Sequence, residues 1–334
     1  MSDSKSLTIN DIAKELGVSP STVSRAISGK GRIGEDTKQR ILKFISEKDF
    51  HPNAMAQSLA NSKTNNIAII MPDIKTLEDM PFFNMCLYGV FEMAEARGYD
   101  LMMVTSDGID TKYLDRLIRN HKVDGMIATR TYVDGRLTSY LKDNKVPFVA
   151  IGRVDDEDVI QIDHDHKSAC QELTDILLMK GISNIAYLGG YMDQWVNRAR
   201  LSGFLAAYMS KSIPLNKSLV FEDLNSKSNI EAAVDNVLEA GAECIICQDD
   251  YFCNAVLKRL SELNVLVPGD IKIASCYDST ILSDNQVSIT ALKFDIIELG
   301  RQASKLLIDM MEETSVVETR KLLDYQVTLK ESTK

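Results

Sequence analysis

Seven short apolar runs alternate with seven amphipathic segments between Asn66 and Glu312, and this confines that part of the chain to parallel sheets with helices on their faces. The runs 67–71, 100–105, 125–129, 148–151, 185–188, 244–247 and 271–276 read as buried strands. The segments 84–97, 113–121, 167–180, 196–211, 229–240, 252–264 and 295–312 read as helices. The stretch is longer than one comfortable doubly wound unit, so two lobes are expected.

The N-terminal residues follow a different grammar. Residues 7–48 read as three short helices. Thr8 can cap the first, with Asp11 three residues on in place of the longer Glu of a capping box. Ile12 and Leu16 share its inner face, and Gly17 ends it. Ser19 caps the second helix and Pro20 takes its first position, where a missing N–H costs nothing. Val23 and Ile27 point inward. A loop over 28–34 leads to a third helix that opens on Glu35 and Asp36 and buries Ile41, Leu42 and Ile45. After a break at Phe50-His51-Pro52-Asn53, residues 54–60 allow one or two helical turns, and 61–65 read as a polar linker.

Charge divides the chain in the same place. The whole carries a formal charge of -10, but residues 1–63 hold 10 basic and 7 acidic side chains, a local excess of +3. A basic head on an acidic body suits local binding to a polyanion. The opening residues have no apolar core of a signal peptide, and no run is long enough to span a membrane, so a cytoplasmic protein is expected. The six cysteines sit in apolar runs, as in a reducing compartment. Cys244 and Cys247 form a CxxC, but on a strand that spacing sends the side chains to opposite faces, so two small buried apolar groups are expected.

No catalytic residues, cofactor or metal are expected. No nucleophile and base stand in a diagnostic context, and Gly189-Gly190 lacks the rest of a dinucleotide fingerprint. His164 and His166, in Asp163-His164-Asp165-His166, could suggest a metal, but they lie at a strand-to-helix entry, where Asp is a natural cap. A ligand of an open α/β sheet sits at the carboxyl ends of its strands. That rule selects Asp73, Phe82, Phe83, Arg130 and Arg153 from the first lobe, and Trp195, Arg200, Gln248, Asp249 and Asp278 from the second. Phe82 and Phe83 are expected to divide into one pocket wall and one core residue, and Trp195 reads equally as a stacking face or as plain packing. Arg supplies a rigid fork and Asp accepts two hydroxyls, which suits a polyol.

The segments LTINDIAKELGVSPSTVSR (7–25) and HPNAMAQSLA (51–60) closely resemble the headpiece and hinge helix of the lactose-repressor (LacI) family, and the remainder resembles that family's core, which is similar to periplasmic sugar-binding proteins. The resemblance implies an all-α helix-turn-helix headpiece followed by an α/β core of two Rossmann-like lobes of the periplasmic-binding-protein type I class. The headpiece would span 1–50, the hinge helix and linker 51–65, and the core 66–334. Lobe 1 would comprise about 66–163 and 291–321, and lobe 2 about 164–290 and 322–334.

Such a headpiece lays its second helix in the major groove. Ser19, Pro20, Ser21, Thr22, Ser24 and Arg25 would then face DNA, with Pro20 and Ser21 at the family's base-reading positions and Arg25 able to grip guanine with both arms. Thr8 and Arg32 are further contacts, and Arg32 reads equally as a solvated loop charge. In the hinge, Asn53, Ala56 and Ala60 match family contacts, and Leu59 matches the leucine that wedges into the minor groove. Arg200 and Asp278 match positions that grip effectors; Gln248 stands where the family often has Asn, which leaves the effector class open. The function implied is a repressor that binds a palindromic operator in double-stranded DNA as a homodimer, under allosteric control by a small molecule between the lobes, expected to be a carbohydrate. Control by a protein co-effector is the alternative within the family. A sugar-acting enzyme or exported sugar-binding protein is the alternative outside it, and would leave residues 1–60 without a role.

Overall fold

The computed structural model describes residues 7–29, 31–48, 50, 63–72, 81–314 and 318–334. It divides into two compact units, Met1–Thr64 and Asn65–Lys334. In the first, α1 (Ile9–Leu16), α2 (Pro20–Ser28) and α3 (Glu35–Glu47) enclose a core of Ile12, Ala13, Val23, Ala26, Ile41 and Phe50. The Asp11 capping box closes in spite of its short arm: Thr8 Oγ1 accepts the Asp11 N–H at 3.2 Å, and Asp11 Oδ2 accepts the Thr8 N–H at 3.0 Å. Ser19 Oγ caps α2 by accepting the Thr22 N–H at 3.2 Å. Arg40 Nη2 donates to the Leu16 carbonyl at 2.8 Å and ties α3 to the end of α1.

One expected core position moves. Leu42 is half-buried and stands outside the cluster, while Phe44 and Ile45 pack on it and Phe50 is buried within it. From Ile41 the inward stripe runs to i+3 and i+4, so residue 42 lies about 100° off that face.

The second unit has two six-stranded sheets. The first, in order β11-β5-β4-β3-β1-β2, joins β1 (Asn66–Met71), β2 (Asp100–Thr105), β3 (Gly125–Ala128), β4 (Phe148–Ile151), β5 (Gln161–His164) and β11 (Arg320–Leu323). The second, in order β12-β10-β9-β8-β6-β7, joins β6 (Ile185–Leu188), β7 (Val220–Phe221), β8 (Cys244–Cys247), β9 (Lys272–Ser275), β10 (Thr290–Phe294) and β12 (Tyr325–Thr328). Every pairing among the described strands is parallel except β10 with β12. Helices α4 (Pro81–Ala96), α5 (Lys112–Arg119) and α6 (Arg136–Asp143) precede the first crossing; α7 (His166–Met179), α8 (Trp195–Lys211), α9 (Lys227–Glu239) and α10 (Asp250–Glu262) follow it. Helix α11 (Ile296–Glu312) returns to pack on α4, β3 and β4.

The chain therefore passes between sheets after His164, Phe294 and Leu323. The second and third passages come a few residues later than the sequence boundaries of about 291 and 322, because β10 pairs with β9 and β12 of the second sheet as far as Phe294, and all of β11 pairs within the first. Helices α4 and α11 meet almost backbone to backbone. A Cβ on Gly89 would run into the carbonyl oxygen of Ile297, and one on Gly300 into that of Cys86.

The CxxC divides as expected: Cys244 and Cys247 are both buried, in different clusters on opposite sides of the second sheet. All six cysteines are buried thiols, with Cys170 Sγ 3.5 Å from Cys276 Sγ. No helix among the described residues is long and apolar enough to cross a membrane.

Candidate functional site

The headpiece presents one polar face. Ser19, Pro20, Ser21, Ser24 and Arg25 are exposed on or beside α2, and Thr22 is half-buried. Ser19 Oγ lies 2.8 Å from both Ser21 Oγ and Thr22 Oγ1, so three hydroxyls cluster where the helix begins. Hydroxyls and the N–H groups of a first turn suit phosphate oxygens, and an exposed guanidinium beside them suits phosphate or a guanine edge. Arg32 is exposed in the following loop, and Thr8 is exposed but already bonded to Asp11. Asn53, Ala56, Leu59 and Ala60 lie outside the described residues, as does Asp73.

In the core, the strand ends of both sheets converge on a cavity of about 370 Å³. Six of the selected residues line it: Phe82, Phe83, Arg130, Arg200, Gln248 and Asp249. Phe82 and Phe83 do not divide as expected. Both reach the cavity, edge to face at 5.1 Å, although Phe83 is also a core residue. Tyr277 continues this aromatic wall, 6.1 Å from Phe82 and stacked 6.4 Å from Phe294. The Arg130 guanidinium stands 5.1 Å from the Phe83 ring centre.

The cavity also has a buried polar wall. Gln248 Oε1 accepts the Gly190 N–H at 2.5 Å, and its amide donates to Asp249 Oδ2 at 3.2 Å. Asp249 also caps α10, accepting the Phe252 N–H at 2.9 Å. Burial raises its carboxyl above the ordinary range, and the charge of Arg200 opposes that rise. Asp250 is pushed up to about 7, first by burial and then by Asp249; the Ser279 hydroxyl donates to it. Arg200 is only 7% exposed, and its Nε has no hydrogen-bond partner among the described residues. A buried donor left open in this way is a ready ligand contact.

Three selected residues are not brought into the cavity lining. Asp278 turns aside: its N–H donates to the Leu292 carbonyl at 2.8 Å and its carboxylate accepts from Lys330 Nζ at 2.9 Å. Its neighbour Tyr277 takes the place. Arg153 and Trp195 pair with each other, guanidinium over indole at 4.5 Å, while Gln194, Val196 and Asn197 line the cavity around them. At this end of the cleft the lobes are joined directly: Tyr132 bridges Gln194, Val133 N–H donates to the Asp193 carbonyl at 2.8 Å, and Arg136 Nη2 reaches Asp193 Oδ2 at 3.0 Å.

Asp163 and His166 also line the cavity, and neither was among the residues selected for it from the sequence. His166 Nε2 is 3.2 Å from Asp163 Oδ1. Burial lowers His164 to about 4, so this imidazole is neutral near pH 7. The signal that marks them is the polar strand β5, whose inward face includes residues with charge chemistry.

The comparisons with known proteins follow the same division. Residues 8–53 match the family model described as bacterial regulatory proteins, lacI family, and 174–333 match that of a periplasmic binding protein-like domain. The HTH-type transcriptional regulator MalR of Streptococcus pneumoniae is 30% identical over 302 residues, covering 86% of this chain and 92% of its own. Among solved structures, the transcriptional regulator CelR–cellobiose complex superposes with a TM-score of 0.75 at 24% identity over 98% of this chain and 99% of its own. The lac repressor dimer bound to operator and the anti-inducer ONPF superposes with a TM-score of 0.82 at 19% identity over 98% and 99%.

Proposed function

The chain belongs to the lacI family of bacterial regulatory proteins and is a DNA-binding transcriptional regulator, and from that premise we propose that it represses transcription as a homodimer on a pseudo-palindromic operator, under control of a carbohydrate held between its core lobes. Each headpiece would read one half-site with Ser19, Pro20, Ser21, Thr22, Ser24 and Arg25, supported by Thr8 and Arg32, while Asn53, Ala56, Leu59 and Ala60 of two hinges would meet over its centre.

The observation that carries the ligand reading is the pairing of two unlike walls. One is aromatic, with Phe82 and Tyr277; the other is polar and buried, with the open Arg200 donor beside Asp249. A sugar offers both surfaces, an apolar face of C–H groups and a rim of hydroxyls. The cavity lies within the ~300–1,000 Å³ of ordinary small-molecule sites. Two superposed structures give the reading company, since one holds cellobiose and the other is a dimer on its operator.

The test is a thermal-shift series with mono- and disaccharides, sugar phosphates and nucleobases, repeated on Arg200→Ala, followed by gel shifts with operator fragments. The reading requires a carbohydrate that raises the melting temperature of the wild type, does not raise that of the variant, and alters operator affinity. Stabilisation by no carbohydrate sinks it.

A further inference from the structure

Two histidines and an aspartate lie together where the chain first passes between the lobes. Asp163 and His164 end β5 in the first sheet, and His166 opens α7 against the second. One ligating atom from each of the three lies within 4.8 Å of the others. Asp165, between the histidines, takes no part: its carboxylate accepts the Ser168 N–H at 3.0 Å and the Ser168 hydroxyl at 2.7 Å, capping α7.

The imidazoles are buried with three of their four ring nitrogens open among the described residues; His166 Nε2 alone is paired, with Asp163. His164 is 2% exposed and His166 7%. Neither ring nitrogen of His164 has a hydrogen-bond partner among the described residues, and His166 Nδ1 has none either. A neutral imidazole carries one bare lone pair, and burying it without a partner is a cost that folded proteins rarely accept. The Phe294 ring fixes both histidines, with its centre 4.8 Å from that of His164 and 4.9 Å from that of His166. The His166 Nε2 to Asp163 Oδ1 separation of 3.2 Å is close to the ligand–ligand edge of about 3.3 Å that metal bonds of ~2.0 Å give in a tetrahedron.

We propose that Asp163, His164 and His166 bind one divalent transition-metal ion at the crossing between the lobes, with an open coordination position facing the cavity. Two imidazoles and one carboxylate select an ion of the zinc class over magnesium or calcium, which prefer oxygen. Asp163 and His166 line the cavity, so the open position is reached from the ligand's side. The ion would join the last strand of the first sheet to the first helix of the second lobe, and so fix the angle at one of the passages about which the lobes turn. The site does not depend on which ligand the cavity takes.

The test uses the full chain, stripped with a chelator and titrated with Co²⁺ and Zn²⁺ alone. One equivalent of Co²⁺ per chain should produce the visible absorption of a low-symmetry nitrogen–oxygen site, and Zn²⁺ should displace it and raise the melting temperature. His164→Gln and Asp163→Asn should each weaken binding at least tenfold. If His164→Gln fails to fold by circular dichroism, Asp163→Asn alone decides. Absence of a one-equivalent site in the wild type overturns the proposal, as does full Co²⁺ affinity in a folded variant.

Discussion

The stem of Arg25 lies along the bare backbone of Gly31, so that a Cβ on Gly31 would stand 3.3 Å from Cδ of Arg25. Gly31 has φ +92°, which residues with a side chain rarely adopt. The glycine thus sets the space in which the one guanidinium of α2 can lie.

Two variants follow from this contact. Arg25→Ala should lose about 1–3 kcal/mol of operator affinity per half-site and relax preference at one base pair. Gly31→Ala should strain the loop and displace the Arg25 stem, weakening operator binding several-fold while leaving ligand binding by the core unchanged. Fluorescence anisotropy on operator and single-mismatch duplexes measures both. Unchanged affinity and preference in Arg25→Ala would show that α2 does not read the groove through this residue.

The close crossing of α4 and α11 gives a stability prediction. Gly300→Ala places a methyl against the Cys86 carbonyl, and Gly89→Ala places one against that of Ile297. Overpacking of this kind typically costs about 1–3 kcal/mol, and here backbone rather than a yielding side chain is struck. Both variants should unfold at lower denaturant concentration with little change in slope. Wild-type midpoints would mean that the helices can separate freely.

These glycines show where sequence reading reaches its limit. The buried strands were legible because both faces are covered, so 148–151, 185–188 and 244–247 coincide with β4, β6 and β8, while the partly exposed edge strand β2 was legible from the apolar run within 100–105. Strand β5 was legible only as an unbounded strand before the helix entry at His164 and His166, since Gln161-Ile162-Asp163-His164 carries polar groups inward; Gln161 spends its amide on the backbone of Val154, accepting and donating at 3.0 Å. Without its bounds, Asp163 and His166 were not selected as cavity residues. Strands β11 and β12 are half-exposed edges with little apolar pattern. The stretch after β9 was found, but not which of two adjacent residues turns inward. That is settled by contacts distant in sequence: Asp278 N–H donates to the Leu292 carbonyl, and Lys330 Nζ donates to the Asp278 carboxylate at 2.9 Å.

Asp250 should make stability depend on pH. Its carboxyl titrates near 7 in the fold, against 3.8 unperturbed, because it is buried beside Asp249. With the folded value raised, its contribution is complete below about pH 4 and is lost as pH rises through 7. At ~1.4 kcal/mol per unit the loss is at most about 4 kcal/mol. Asp250→Asn removes the charge, so the melting temperature of the variant relative to wild type should be higher at pH 8 than at pH 5. An identical difference at both values would place the titration of Asp250 elsewhere.

The last prediction separates the cavity from its neighbourhood. The sequence pointed to Arg200 and Asp278 together as the effector grip, whereas the structure puts Arg200 on the cavity wall and pairs Asp278 with Lys330. Asp278→Ala should therefore keep ligand affinity and the operator response within about twofold. It breaks a partly exposed ion pair, a loss of no more than ~1 kcal/mol. Arg200→Ala should abolish ligand binding while leaving ligand-free operator binding near wild type, because the headpiece is a separate unit. Where ligand does bind, it can shift the lobes only by preferring one arrangement over another. A coupling of about 1–3 kcal/mol would change operator affinity roughly 5- to 150-fold, and operator must change ligand affinity by the same factor. Calorimetric titration of ligand into free and operator-bound protein, for wild type and both variants, tests all of this at once. Loss of the response in Asp278→Ala with its retention in Arg200→Ala would reverse the assignment of the site.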